Sequence, residues 1–356
     1  MSKSNYIVPI FVPHKGCPYN CIFCNQKRIT GQAKDLTTND IDKMIGEYIK
    51  TIKKRDANIE VAFFGGSFTA IPMEEQNKYL KIANKYLMNG DINAIRLSTR
   101  PDFINKEIVS NLKRHGVTIV ELGVQTMDED VLLKSGRGHL ISDTEKAIEL
   151  LKEEGFIVGV QLMVGLPGDS KEKCLDTARK VVRQKPDFSR IYPSLVIKDT
   201  YMEQMYNNGD YKPFEIKEAV DICKEMLIIL ESNSINVIRI GLQPTEEMQM
   251  GKSVVAGPYH PSFRQLVESE IFKDMIDTVL SFLNMESIKD VTVCFNTFDY
   301  SNVIGQKKTN IKFFNDKYPD TNFIFCTSNI NKGTVLVKTA DLTKGISKSE
   351  YYRLNI

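Results

Sequence analysis

The sequence has no excess of charge of either sign: 47 Lys and Arg against 45 Asp and Glu leave +2 over 356 residues. No global field therefore draws the chain to nucleic acid or to a membrane, and any basic surface has to be local. There is no long apolar run. The most apolar stretch, residues 156–166, contains Gln161 and is too short to span a bilayer. The first twelve residues hold one lysine and a short apolar run that meets Pro9 and then Pro13. No cleavage-site pattern follows, so no signal peptide is read there and a cytoplasmic chain without a membrane partner is expected. Internal repeats and low-complexity segments are also lacking. Nor are the cysteines an even set: of seven, three crowd between positions 17 and 24, while Cys174, Cys223, Cys294 and Cys326 are scattered. In a cytoplasmic chain this favours metal binding over disulfides, with the scattered four as small buried hydrophobes.

What is present is an alternation of short β-rich runs with amphipathic stretches. Strands are expected at 6–11, 60–64, 94–98, 118–122, 156–163 and 188–192, with helices at 37–53, 74–88, 104–113, 143–154 and 171–183 between them. Strict βα alternation implies a parallel sheet, and six strands are too few for a closed eight-stranded barrel. The expected fold class is α/β: a partial (β/α)6 barrel over residues 1–200, an extension over 201–285, and a small α/β unit over 286–356. Along the strands, Ile95 and Leu97 alternate with Arg96, Ser98 and Arg100. Val120, Leu122 and Val124 alternate with Glu121, Gly123 and Gln125, and Val158, Val160 and Leu162 with Gly159, Gln161 and Met163. One face is thus aliphatic and suits covering helices, while the other is small and polar and suits a ligand-lined lumen. Residues 193–214 read as a loop-rich connection. A helix at 215–232 and a strand at 237–240 follow, then an irregular segment at 251–261 and a helix at 262–283.

Cys17, Cys21 and Cys24 stand at C-x3-C-x2-C spacing directly after the first strand, with Phe23 beside the last. Three thiolates from one loop can take three irons of a cubane and leave the fourth open to a chelating amine and carboxylate. The competing reading is a structural Cys3His zinc site completed by His14. Further segments follow in a fixed order: Phe63-Phe64-Gly65-Gly66-Ser67-Phe68, then Leu122-Gly123-Val124-Gln125-Thr126, then Gly136-Arg137-Gly138-His139, then Met163-Val164-Gly165-Leu166-Pro167-Gly168.

This set resembles the radical S-adenosylmethionine (SAM) superfamily. The segments Ile191-Tyr192-Pro193-Ser194-Leu195-Val196-Ile197-Lys198-Asp199-Thr200 and Val254-Val255-Ala256-Gly257 bring it nearest to the radical SAM core of the Elongator catalytic subunit, a tRNA-modifying enzyme. A further relation is to oxygen-independent coproporphyrinogen oxidases and haem carriers. The resemblance covers roughly residues 6–270 and implies a transferase-class enzyme with a 4Fe-4S cluster and SAM as cofactors and an external electron donor. Its implied chemistry is reductive cleavage of SAM to a 5′-deoxyadenosyl radical, its implied substrate RNA, in particular tRNA. It also implies SAM contacts from Phe23, Gly65, Gly66, Ser67, Ser98, Arg100, Gln125 and Arg137. Gln161 and Tyr192 either face the lumen or belong to the core, Glu121 is either a buried paired carboxylate or a substrate contact, and His139 reads as a turn or cap residue. Two departures bound the resemblance. The acetyltransferase domain that the Elongator subunit carries is not expected in these 356 residues, and Gln26 stands where coproporphyrinogen oxidases have a fourth cysteine. The alternatives are a coproporphyrinogen oxidase-like enzyme or haem carrier, and a non-enzymatic RNA-binding protein with a structural metal.

Residues 291–338 read as a βααββ order with Ile304-Gly305-Gln306-Lys307-Lys308-Thr309-Asn310-Ile311 at the helix–helix corner, which is similar to the KH module. In that module a GXXG loop clamps single-stranded nucleic acid; here Lys308 replaces the second glycine. The resemblance implies RNA contacts from Gly305, Lys307 and Lys308. From Glu286 onward ten Lys and Arg stand against seven Asp and Glu, so the unit is only mildly basic.

Overall fold

The computed structural model describes residues 5–12, 17, 21–25, 36–53, 57–242 and 248–355. Strand β1 (Asn5–Val12) is followed by α1 (Thr38–Thr51), β2 (Asn58–Gly65), α2 (Met73–Met88), β3 (Ala94–Thr99), α3 (Lys106–Arg114) and β4 (Val117–Gln125). Then come α4 (Glu129–Lys134), α5 (Ile141–Glu153), β5 (Ile157–Val164), α6 (Lys171–Gln184) and β6 (Phe188–Pro193). Local chemistry starts these helices where the pattern places them. Thr37 and Asp40 form a reciprocal capping box on α1, and the side chains of Asn105, Asp128 and Ser170 cap α3, α4 and α6.

The six expected strands pair in parallel, and a seventh joins them. The sheet order is β1-β2-β3-β4-β5-β6-β8, with β8 (Asn236–Ile240) drawn from beyond residue 200, so the curled sheet runs past the boundary expected there. The connection expected to be loop-rich holds β7 (Val196–Ile197) and α7 (Tyr201–Asn208), which precede α8 (Ile216–Ser232). The Thr200 hydroxyl caps α7, and Gly209, left-handed at φ +81°, stops it. Within the segment expected to be irregular, β9 (Val254–Ala256) pairs antiparallel with β7. Helix α9 (Phe263–Leu280) leads to the C-terminal unit. Among the described residues no helix is long and apolar enough to cross a membrane.

That unit contains β10 (Asp290–Phe295), α10 (Tyr300–Ile304), α11 (Thr309–Lys317), β11 (Asn322–Thr327) and β12 (Thr334–Lys338), followed by β13 (Thr343–Ser347) and α12 (Lys348–Leu354), which the sequence pattern did not reveal. Its sheet order is β11-β10-β12-β13, with β10 and β11 parallel. Val291, Val293, Phe295 and Phe314 belong to the same hydrophobic core as the barrel. Of the scattered cysteines, Cys174, Cys223 and Cys294 are buried, while half-buried Cys326 lies 3.2 Å, sulfur to sulfur, from Cys294 on the neighbouring strand.

The polar face of the barrel sheet points inward: its lower part is buried and ion-paired, while Ser98, Gln161 and Met163 above are half-buried. Glu121 is fully buried and meets Arg96 at 2.7 Å and Arg190 at 2.6 Å; Arg96 also reaches Glu60 at 2.7 Å. Glu121 is therefore a paired carboxylate. Gly159 makes room for the Phe188 ring, over which the Arg96 guanidinium lies. This layer fills the lumen on the side of the strand N-termini and leaves the opposite end for a site.

Candidate active site

One cavity, of about 140 Å³, lies at the C-terminal ends of the strands. Each residue singled out above for a cluster or for SAM lines it: the three cysteines and Phe23 from the loop after β1, Gly65, Gly66 and Ser67 from the end of β2, Ser98 and Arg100 from β3 and its exit, and Gln125 and Arg137 from β4 and the turn after α4. Gly305, Lys307 and Lys308 lie elsewhere, in the C-terminal unit. His14 and Gln26 fall outside the described residues.

The cysteine loop is held by backbone contacts. The Ile22 amide donates to the Ser135 carbonyl, and the Met202 amide donates to the Ile22 carbonyl, at 3.2 and 2.9 Å. The Asn25 side chain donates to the Lys198 carbonyl. Phe23 packs on the apolar patch made by Val196, Met202, Tyr211 and Ala256. The elements β7, α7 and β9, which were not expected in these segments, thus support this loop. Cys17 is exposed as a residue, but its thiol turns inward. Loss of solvent pushes the thiol above its ordinary range, while the Ser67 amide and the guanidinium groups of Arg137 and Arg100 pull it down.

The glycine segment is fixed by the neighbouring strand. Gly65 has φ +109°, and a Cβ there would stand 2.6 Å from the Val12 carbonyl oxygen. The Gly66 amide donates to that same oxygen at 2.9 Å. Gly65 is therefore required by strand packing. Ser67 is 2% exposed, and its hydroxyl is engaged with Thr99 at 2.9 Å and with the Arg100 amide at 3.1 Å, so its amide is what it turns towards Cys17.

Across the cavity the cations are held in place. Arg100 binds Asp102 through two parallel bonds of 2.9 and 2.8 Å. Arg137, 7% exposed, donates to the Gly123 carbonyl and points a second nitrogen at the Cys21 sulfur, 3.3 Å away; among the described residues its Nε has no partner. Gln125 is left-handed at φ +69°, an uncommon conformation for a non-glycine residue and one found at functional sites. Ser98 and Gln161 approach each other at 3.4 Å over the intervening strand. Behind this wall lies His139, 2% exposed, its ring turned to the Val124 backbone but, among the described residues, without a well-formed hydrogen bond at either nitrogen. Burial and the charges of Arg137 and Arg100 push it down to about 3, so it is neutral at physiological pH.

Two lining residues, Thr99 and Gly123, were given no contact in the sequence reading, while Gln161, left open there between lumen and core, lines the cavity. Thr99 ties the β3 exit to Ser67 and Thr69, at 2.9 and 2.6 Å, and has the wrong strand parity to be seen. Gly123 is legible only through its neighbours. A Cβ there would stand 3.0 Å from the Arg137 Nη2 and 3.1 Å from the Gln125 amide nitrogen, so both side chains fold over its bare Cα.

The donor types are those of an open cubane, although among the described residues no three His, Cys, Asp or Glu side chains are drawn together as a metal-ligand group. Three thiols face the cavity, and no histidine, aspartate or glutamate lines it among the described residues. Residues 11–181 match the Radical SAM superfamily, and residues 186–273 match the Radical_SAM C-terminal domain. The tRNA uridine(34) acetyltransferase of Methanocaldococcus jannaschii is 31% identical over 196 residues, 49% of this chain and 36% of that protein. Elongator complex protein 3 of Homo sapiens is 26% identical over 204 residues, 52% and 37% of the two chains. The chain thus spans little more than a third of either curated relative. The solved structure of the archaeal Methanocaldococcus infernus Elp3 with an N-terminal deletion shares the fold, with a TM-score of 0.59 at 23% identity over 79% of this chain and 64% of that one. By its matches over residues 11–181 and 186–273 together, the chain belongs to the radical SAM superfamily, and its fold agrees.

Proposed function

We propose that this chain is a radical SAM enzyme that modifies tRNA, with Cys17, Cys21 and Cys24 holding a 4Fe-4S cluster and SAM lying between the cluster and the lumen. The carrying observation is that three thiols, a glycine segment with its Gly66 amide already engaged, and a positioned guanidinium share one cavity. When bound, the cluster and SAM supply reductive cleavage to methionine and a 5′-deoxyadenosyl radical, with the electron from an external reductant. The chain orients and shields. Arg137 presents a fixed guanidinium to the SAM carboxylate, and the carbonyl groups of the Gly65–Gly66 segment suit its ammonium. Gln125 and Ser98 supply polar contacts for the ribose, and Phe23 an apolar face for the adenine. The Glu121 ion layer closes the lumen from below, so substrate enters at the strand C-terminal end. The tRNA assignment draws on the two relatives named above, and no acetyl transfer is assigned.

Anaerobic purification and cluster reconstitution, followed by a SAM-cleavage assay with and without bulk tRNA, test this reading. A brown protein whose SAM cleavage is lost on Cys→Ala change at any of the three positions is expected, as is an added mass on tRNA. A colourless zinc protein under the same handling would overturn it.

A further inference from the structure

Away from the barrel mouth, a second cavity, of about 600 Å³, opens where α6, α8 and α9 of the barrel jacket meet α12 of the C-terminal unit. Its size and its place at a joint between units are those of small-molecule sites. The floor is aliphatic: Leu175 and Val182 come from α6, and Ile228 and Ile229 from α8. One wall carries Arg179 and Arg183, a turn apart on α6 and both exposed. Among the described residues neither guanidinium has an ion-pair or hydrogen-bond partner.

The other charges around the cavity are matched. Lys224 meets Asp274 at 2.6 Å, and Lys171 meets Glu225 at 2.7 Å. The Tyr351 hydroxyl also donates to Asp274, at 3.3 Å. Both carboxylates at the rim are therefore engaged, and the two arginines are left without an anion. Like charges at i,i+4 on a helix destabilise it by roughly 0.2–0.5 kcal/mol. An aliphatic floor beside two unmatched guanidinium groups is complementary to one kind of small molecule.

We infer that this cavity binds an amphiphilic phosphate: a phosphate head held by Arg179 and Arg183, with an apolar body lying on Leu175, Val182, Ile228 and Ile229. Planar guanidinium groups suit a phosphate because they offer paired donors in a fixed fork. A nucleoside phosphate and an alkyl or acyl phosphate share this chemistry. The site is independent of the radical SAM cavity and does not rest on the tRNA reading.

The test is a titration of the full chain at low ionic strength with three probes: a fluorescent N-methylanthraniloyl ADP, octyl phosphate, and inorganic phosphate. Saturable binding of the ADP probe or of octyl phosphate is expected, and whichever binds identifies the body. Inorganic phosphate should bind about tenfold more weakly or worse, because it lacks the part that covers the floor. The double change R179S/R183S should weaken the amphiphile by about tenfold or more. V182W, which fills the floor and keeps both guanidinium groups, should weaken it as well, and thermal unfolding of each variant verifies that it is folded. The inference falls if neither amphiphile binds, if the double variant binds as tightly as wild type, or if inorganic phosphate binds equally well.

Discussion

Arg137 and Gly123 act as one device. The guanidinium reaches across a bare Cα to the Gly123 carbonyl, and Gln125 shares that space. Gly123→Ala should therefore push Arg137 and Gln125 out of position, and it is expected to weaken SAM binding by about tenfold while leaving iron content unchanged. Equilibrium dialysis of the reconstituted variant with SAM, beside an iron assay, measures both. An unaltered affinity would show that the arginine gives way freely. His139 makes a different residue-scale prediction. Its folded-state value of about 3 lies below its ordinary 6.5, so the unfolded chain takes up a proton between those values that the folded chain does not. The contribution of a neutral His139 is complete above pH 6.5 and is lost as pH falls, at up to about 1.4 kcal/mol per pH unit. His139→Leu should flatten the fall of melting temperature between pH 6.5 and 4 relative to wild type. Parallel acid limbs in the two proteins would mean that other groups set it.

At the scale of elements, strand parity made the lumen legible, and the cysteine spacing pointed to the loop that lines its mouth. Arg96, Ser98, Glu121, Gly123 and Gln161 all read as one face, and all lie inside. What parity could not show was which part of that face is buried and ion-paired. The answer is pairing between strands: Glu121 of β4 is neutralised by Arg96 of β3 and Arg190 of β6, and no single strand contains that information. Removing the carboxylate while leaving two buried cations should be severe. Glu121→Ala is expected to cost roughly 3–5 kcal/mol and to appear as a large drop in melting temperature, whereas Glu121→Gln, which keeps the shape and some hydrogen bonds, should cost less. Equal, small losses would show that water relieves the layer. The β7–α7–β9 support was illegible for a related reason. Its two short strands carry too few residues for a period, and their pairing spans some sixty residues of chain. The helix between them announces itself only through the Thr200 cap and Gly209. Strand β13, with Gly345 at its centre, has a pattern too weak to be read.

At the scale of the whole molecule, a net charge of +2 gives no field to gather a polyanion. If tRNA is the substrate, its phosphates have to meet local cations. The corner of the C-terminal unit offers a pair: Lys307 and Lys308 are both exposed and both left-handed, at φ +52° and +62°. Consecutive left-handed side-chain residues are strained, and such strain is found where structure serves a ligand. The corner is also tied to the segment that leads away from the β7–β9 ribbon, because Gln306 lies 2.9 Å from His260, four residues beyond β9. Gly305 has a separate reason to be glycine. It is buried with φ +75°, and a Cβ there would come within 2.4 Å of the Thr309 hydroxyl. Gly305→Val therefore disrupts the corner whether or not RNA binds, and only the lysines give a clean test. K307A/K308A should weaken tRNA binding and leave SAM cleavage without RNA intact, since that chemistry belongs to the barrel. The informative readout is the dependence on salt. Each lost phosphate contact lowers the slope of log K against log salt by roughly 0.7–0.9, so two contacts flatten it by roughly 1.4–1.8. Filter binding of tRNA across a salt series measures that slope. If the double variant keeps the wild-type affinity at every salt concentration, the corner is a structural cap, and the tRNA phosphates have to be met by cations nearer the barrel mouth.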